Sequence, residues 1–442
     1  MRMLLQPIKN LARIIASATG LLSAYHYALS FFGALWYGFP SRRMTVIGVT
    51  GTKGKTTTCN LIAHILNSAG VKTGMATTVN FRIGVQTWTN DTKQTMLGRF
   101  ALQKFLREMA DAGCTHAVVE TSSEGILQHR HRFIDYRVAV FTNLSPEHIE
   151  RHGSFEAYRD TKAKLFTHVA HRADSIGVYN FDDPNVGYFL KPNVAKKIGY
   201  SYVTSDKRQA TSSTTDIVYA TDVVFNVNGT RFAIGNTRYA TPLIGEFNLY
   251  NALAAIAALR GLGVPEDKIR KGLASAPQVP GRMEPVNKGQ PFTVIVDYAH
   301  EPKSLEEVYK AAELFKPKKL IGLLGSQGGG RDVWKREAMG KIAGAYLDET
   351  ILTNEDPYDE PPMRIIEDIE KGILGSGGRK KKQTVYKIID RREAIKKALS
   401  LARTGDLVLL TGKGGEVWMC VEGGRKVAWD EKRIVEEILE GE

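Results

Sequence analysis

The stretch Val46–Thr58, VIGVTGTKGKTTT, carries the strongest structural signal in this 442-residue chain. Its first residues are apolar and extended in preference. A glycine turn follows, and then Leu61, Ile62, Ile65, Leu66 and Ala69 recur at helical spacing until Gly70 stops them. Strand, glycine turn and helix in this order form the setting of a phosphate-binding loop. The turn Gly51, Thr52, Lys53, Gly54, Lys55, Thr56, Thr57 is expected to hold ATP. Gly51 and Gly54 let backbone N–H groups approach phosphate oxygens, Lys55 brings a cation to the β- and γ-phosphates, and the Thr56 hydroxyl can ligate Mg²⁺. The first glycine of the general pattern is Val49 here, with glycines at 48 and 51 instead.

The same grammar repeats along the chain. THAVVE and YRVAVFTN read as buried strands, and a helix carrying Leu102, Phe105, Leu106 and Met109 precedes the first of them. This alternation predicts a parallel sheet wrapped by helices. Residues from about 206 to 241 are rich in Thr and Asn and read as an antiparallel insertion. A second series, FTVIVDYAH, KLIGLLGS, ETILTNED, TVYKII and DLVLLTGKG, predicts a separate Rossmann-like domain. The expected fold is therefore α/β. A P-loop-type ATPase domain spans 44–282, a Rossmann-like domain 283–442, and an apolar helical segment 1–43. The run GSGGRKKKQT reads as a solvated basic loop, and no nucleic-acid partner is expected.

Bulk properties agree. Hydrophobic content is 43% and charged content 24%, as in globular enzymes, and the net charge of +13 suits polyanionic ligands or an anionic membrane surface. Cys59, Cys114 and Cys420 have no metal spacing, which points to a reduced, cytoplasmic compartment. Ile14–Trp36 carries no Asp, Glu, Lys or Arg and is rich in aromatics. Its two readings are a helical hairpin packed on the protein's own surface and a peripheral contact with the inner face of a membrane.

Ligands of such sheets sit at the carboxyl ends of the strands. Glu120 ends THAVVE and could bind Mg²⁺. Glu147 and His148 lie just beyond YRVAVFTN. Lys162 and Lys164 follow on a short amphipathic helix, and composition alone leaves them as surface charges.

The series GVTGTKGKTTT, VVETSSEGILQHR, NLSPEHIERHGSFEAYRDTKAKLF, GEFNLYNALAA, GRMEPV, VDYAHEPKSL, GGGRDVWKREAMG and GKGGE resembles the Mur ligase family, in order, over residues 44–442. The similarity is strongest to the branch that adds the third residue of the cell-wall stem peptide. It implies an ATP-dependent amide ligase acting through an acyl phosphate, with a muramyl-peptide donor, an amino-acid acceptor and two Mg²⁺ ions, and a monomer is expected. Lys55, Glu120, His148 and Lys162 would be catalytic, with Thr56, Glu120, His148 and Lys162 around the metals. Lys162 would carry a CO₂-derived carbamate. Asn251 would read the adenine, and Arg282 and Asp297 would contact phosphates and ribose. Thr95, Ser122, Gln128 and Arg130 would hold the donor.

Departures from the family pattern bear on the substrates. Glu124 replaces the histidine of an SSH run. The acceptor signature reads NEDPYDEPP, with Asp356 in place of asparagine and Tyr358 at the selective position. Arginine there would pair the distal carboxylate of diaminopimelate, which tyrosine cannot do. Asp356, Asp359 and Glu416 favour an amine-tipped acceptor. The apolar front segment is too short for a UDP-gripping domain, so a donor near or linked to a membrane is an alternative. A poly-amino-acid or folate-type ligase, and an ATP-switched scaffold without catalysis, are the other readings.

Overall fold

Strand β1 (Thr45–Thr50) is the centre of the first sheet. The computed structural model describes residues 20–147, 149–202, 216–330, 332–375 and 384–441. By contacts these form two units, Met1–Thr221 with Tyr250–Leu273, and Asp222–Leu249 with Ala274–Glu442.

In the first unit β1 is followed by β2 (Thr73–Ala76), β3 (Asn80–Ile83), β4 (Gln86–Thr89), β5 (His116–Glu120), β6 (Tyr136–Phe141), β7 (Ile176–Asn180), β8 (Lys196–Ser201) and β9 (Asp216–Tyr219). Their order is β4-β3-β2-β5-β1-β6-β7-β8-β9. β1 lies parallel between β5 and β6, with Val49 opposite Glu120 and Thr50 opposite Phe141. That register brings three carboxyl ends to one edge, where ligands of doubly wound sheets bind. Both faces are covered, so the strands are continuously apolar: Val46, Ile47, Val49, Val118, Val138 and Val140 are all buried. Only β3 runs against the other strands, pairing antiparallel with β2 and with β4.

Part of the expected antiparallel insertion belongs to this sheet. β9 extends it in parallel with β8, from Ile198 opposite Asp216 to Ser201 opposite Tyr219, and buries Val218. The antiparallel part is the meander β10 (Thr221–Asn226), β11 (Gly229–Ile234) and β12 (Thr237–Thr241). Residues 203–215 lie outside the described residues, as do 376–383 of the basic run.

The second unit has a six-stranded sheet ordered β13-β14-β18-β15-β16-β17. Its strands are β13 (Glu284–Val286), β14 (Thr293–Val296), β15 (Leu320–Leu324), β16 (Glu349–Leu352), β17 (Thr384–Lys387) and β18 (Leu407–Leu410). All but the edge strand β13 pair in parallel. A short hairpin follows, β19 (Trp418–Val421) with β20 (Arg425–Ala428).

The apolar front segment contributes one described helix, Leu21–Trp36, and the rest of the expected hairpin, residues 1–19, lies outside the described residues. Ser30, Gly33 and Ala34 are its buried positions, and they face the helix Arg99–Asp111. Its outer side leaves Leu21, Tyr25, Phe32, Leu35 and Trp36 exposed, the last by 79%. Among the described residues no helix is long and apolar enough to cross a membrane.

Candidate active site

The glycine turn opens the helix Lys55–Ser68, as its sequence setting predicts. Two glycines are needed for steric reasons. Gly54 has φ +80°, and a Cβ there would fall 2.1 Å from Asn251 Oδ1. Gly51 has φ +147°, and its Cβ would meet Thr142 Oγ1 at 2.0 Å. The segment after β6 clamps the turn. Thr52 N donates to Asn143 O at 2.8 Å, Lys53 N to Asn143 Oδ1 at 2.9 Å, and Thr142 Oγ1 to Lys53 O at 2.7 Å. Lys53 Nζ pairs with Glu147 at 3.0 Å, and Lys55 Nζ donates to Thr52 O at 2.8 Å.

Glu120 lies under the first helical turn. Its Oε2 accepts from Thr56 Oγ1 and from Thr78 N, each at 2.9 Å, and its Oε1 accepts from Thr78 Oγ1 at 3.0 Å. A hydroxyl and a buried carboxylate in contact at a helix N-terminus, beneath a glycine turn that a Cβ would fill, are a donor set suited to a hard cation and its phosphate ligands. Thr57 is buried beside them.

Lys162 is buried on the helix Phe155–Val169. Its Nζ donates to Gly51 O at 2.6 Å and lies 4.6 Å from the centre of the Tyr158 ring. Desolvation, helped by the neighbouring Lys55, holds this amine well below the ordinary lysine range. Tyr158 also reaches Thr52 Oγ1 at 3.1 Å, so one helix braces the turn twice. Asn251 Oδ1 accepts from Thr58 Oγ1 at 3.4 Å. The structure thus gathers Gly51–Thr57, Glu120, Lys162 and Asn251. His148 lies outside the described residues.

The residues expected to hold the donor adjoin one another. Ser122 caps the helix Ser123–Leu127 by accepting from Gly125 N at 3.1 Å, so part of its role is structural. Gln128 accepts from Arg130 Nη2 at 2.7 Å, while Thr95 is partly buried one residue before Met96, whose carbonyl Arg130 also contacts.

The second unit gathers its own set through two residues that the sequence reading did not single out. Lys413 Nζ, fully buried, donates to Asp356 Oδ1 at 2.9 Å and Glu416 Oε2 at 2.6 Å. Tyr298 OH donates to Glu416 Oε1 at 3.1 Å, and the Arg282 guanidinium lies 4.4 Å over the Tyr298 ring. Asp356 and Glu416 are thus already joined by an internal ammonium. Lys413 stands inside the quoted GKGGE run, but only the long-range pairing reveals its role. Asp297 accepts from Met283 N and Ala299 N, each at 2.7 Å, which fixes the chain after β14. Tyr358 has φ +52° and donates its N–H to Cys420 O at 3.3 Å. Beside them Glu355 is buried with Oε2 unpartnered, and desolvation pushes its carboxyl up to about 7.

Comparison with known proteins matches these two regions to two family descriptions. Residues 49–259 match the Mur ligase middle domain and residues 281–414 the Mur ligase, glutamate ligase domain. A UDP-N-acetylmuramyl-tripeptide synthetase of Roseiflexus sp. (strain RS-1) is 39% identical over 91% of this chain and 80% of its own length. A UDP-N-acetylmuramoyl-L-alanyl-D-glutamate–2,6-diaminopimelate ligase of Geobacillus kaustophilus (strain HTA426) is 36% identical over 94% of this chain and 82% of its own. A solved structure of a ligase with the same description superposes with a TM-score of 0.59 at 32% identity, covering 90% of this chain and 78% of that one. A folylpolyglutamate synthase of Mycobacterium tuberculosis, solved with ADP and AMPPCP, shares the fold with a TM-score of 0.70 at 19% identity, over 94% and 95% of the two chains. With both domains matched and such identity over nine-tenths of its length, the chain belongs to the Mur ligase family.

Proposed function

We propose that this chain is an ATP-dependent, ADP-forming ligase that adds an amino acid to a UDP-N-acetylmuramyl peptide during peptidoglycan precursor synthesis. The observation that carries the reading is the contact of Thr56 with Glu120 beneath a glycine turn, with Lys162 buried under the same turn. A polyanionic γ-phosphoryl group must meet a carboxylate, and that encounter needs dense cationic screening and fixed geometry. Lys55 and Lys53 supply cations, and the N–H groups that open the helix after Gly54 supply donors. Thr56 and Glu120 would hold Mg²⁺, which would supply charge neutralisation at the phosphates. The carboxylate of the donor takes the phosphoryl group, and the acceptor amine then displaces phosphate to form the amide.

Lys162 is proposed to carry a carbamate. Its amine is desolvated and crowded by Lys55, which favours the neutral, nucleophilic form. The nitrogen lone pair adds to the carbon of CO₂ and one N–H proton leaves to solvent, converting the neutral buried amine into an anion beneath the glycine turn. Asn251 is proposed to read the base, and Arg282 and Asp297 to contact the nucleotide.

For the acceptor, Tyr358 stands where an arginine would receive a distal carboxylate, and Asp356, Asp359 and Glu416 outnumber Lys413. This balance supports an amino acid with a second amine. The exposed aromatic face of the helix Leu21–Trp36, with Arg42 and Arg43 just after it, supports peripheral contact with an anionic lipid surface. Three unpaired cysteines support a reducing compartment. The test is an acceptor screen with UDP-muramyl-dipeptide and ATP, read by mass spectrometry. A tripeptide product with lysine or a similar diamine supports the reading, and no amide with any amino acid refutes it.

A further inference from the structure

The N-terminal helix meets the segment assigned to the donor. Ser23 Oγ and His129 Nε2 are 2.8 Å apart, and Tyr27 packs edge-on against His129 and Phe133. At Gly33 this helix packs on the start of the helix Arg99–Asp111, where a Cβ would lie in ordinary contact, 3.4 Å from Arg99 O. At the crossing, Arg99 Nη2 donates to His26 Nδ1. The same nitrogen donates to Gln128 Oε1 at 3.1 Å. Arg130 donates to that oxygen as well, through Nε at 3.1 Å and Nη2 at 2.7 Å, and through Nη1 to Met96 O.

Two guanidinium groups therefore converge on one amide oxygen, and their acceptors are neutral. Among the described residues neither makes an ion pair. Glu124, the carboxylate that most affects Arg130, instead accepts from Gln128 Nε2 at 2.9 Å. Arg99 Nε is buried with no partner. Burial lowers the proton affinity of both guanidiniums, and the charge of Arg99 lowers that of Arg130 further. Like charges sharing a neutral acceptor, with an N–H left over, fit an oxyanion that two planar forks can grip.

We propose that Arg99, set by His26 of the N-terminal helix, joins Arg130 and Gln128 in one oxyanion site that takes a phosphate or carboxylate of the donor. The helix is then part of the donor site. This rests on the donor reading of Gln128 and Arg130 above. Arg99 binds substrate, and His26 is a positioning residue.

Steady-state kinetics with UDP-muramyl-dipeptide, ATP and the best acceptor test it. Arg99→Gln raises the donor KM tenfold or more and leaves the ATP KM within twofold; Arg99→Lys lies between. His26→Leu raises the donor KM, whereas His26→Gln, which keeps an acceptor, restores it. Calorimetric titration of wild type and Arg99→Gln with UDP alone, and with muramyl-dipeptide lacking UDP, distinguishes the sources, because the fragment whose affinity falls carries the gripped oxyanion. If Arg99→Gln keeps the donor KM and both fragment affinities while its thermal midpoint drops, Arg99 only ties the helix down and the inference fails. A wild type that forms no amide refutes the ligase reading instead.

Discussion

Gly54→Ala probes the turn on which the ATP site depends. Two costs follow from its surroundings. A φ of +80° places an L-residue in the left-handed region, which costs about 1–2 kcal/mol. The new Cβ would also stand 2.1 Å from Asn251 Oδ1, so Asn251 must turn away and release Thr58 Oγ1, a hydrogen bond contributing about 1 kcal/mol. Together they lower the unfolding free energy by about 2–3 kcal/mol. The displaced residue is the one proposed to read adenine, so ATP affinity falls as well. Urea denaturation followed by circular dichroism reads the first quantity, and calorimetric titration with ATP reads the second. A Gly54→Ala protein with wild-type stability and wild-type ATP affinity would refute the steric argument and the role given to Asn251.

Three further outcomes are expected. Lys162→Ala abolishes ligation, and millimolar short-chain carboxylates partly restore it; full activity in the variant rules out the carbamate. Glu355 has a folded pKa raised to about 7 from an ordinary 4.5, so the folded state holds its proton longer and stability falls as pH rises from about 4.5 to about 7. Glu355→Gln therefore flattens this loss, by on the order of 3 kcal/mol at pH 8; thermal midpoints of the two proteins that stay parallel from pH 5 to 8 contradict it. Lys413→Met leaves the buried Asp356 and the partly buried Glu416 without their shared cation and destabilises the second unit by about 3–5 kcal/mol, read by urea denaturation. A variant as stable as wild type shows that the three groups are not coupled.

The alternating α/β grammar was legible because it is local. β1, the glycine turn and the helix Lys55–Ser68 are written in consecutive residues, and buried parallel strands such as THAVVE and DLVLLTGKG read as unbroken apolar runs. Pairing partners are not local. β9 resembles its antiparallel neighbours in composition, yet joins the parallel sheet, because an edge strand of four residues carries too little pattern to declare its direction. The Ile14–Trp36 run was uniform in hydropathy, and only tertiary packing shows that Ser30, Gly33 and Ala34 face inward while Trp36 does not. The same limit hid parts of the site. Lys413 joins Asp356 across 57 positions and Arg99 meets His26 across 73, so neither spacing signals contact. Thr78, which donates twice to Glu120, lies in a short segment without a motif of its own.

The central claim is that the terminal phosphoryl group of ATP passes to a carboxylate of the donor before an amine captures it. Hydroxylamine supplied in place of the amino acid tests this step directly, with product and nucleotide followed by mass spectrometry. The account predicts one donor hydroxamate for each ADP and phosphate released, dependent on donor and ATP together, and absent in Lys55→Ala. Release of AMP with diphosphate, or ATP hydrolysis indifferent to the donor, would contradict it.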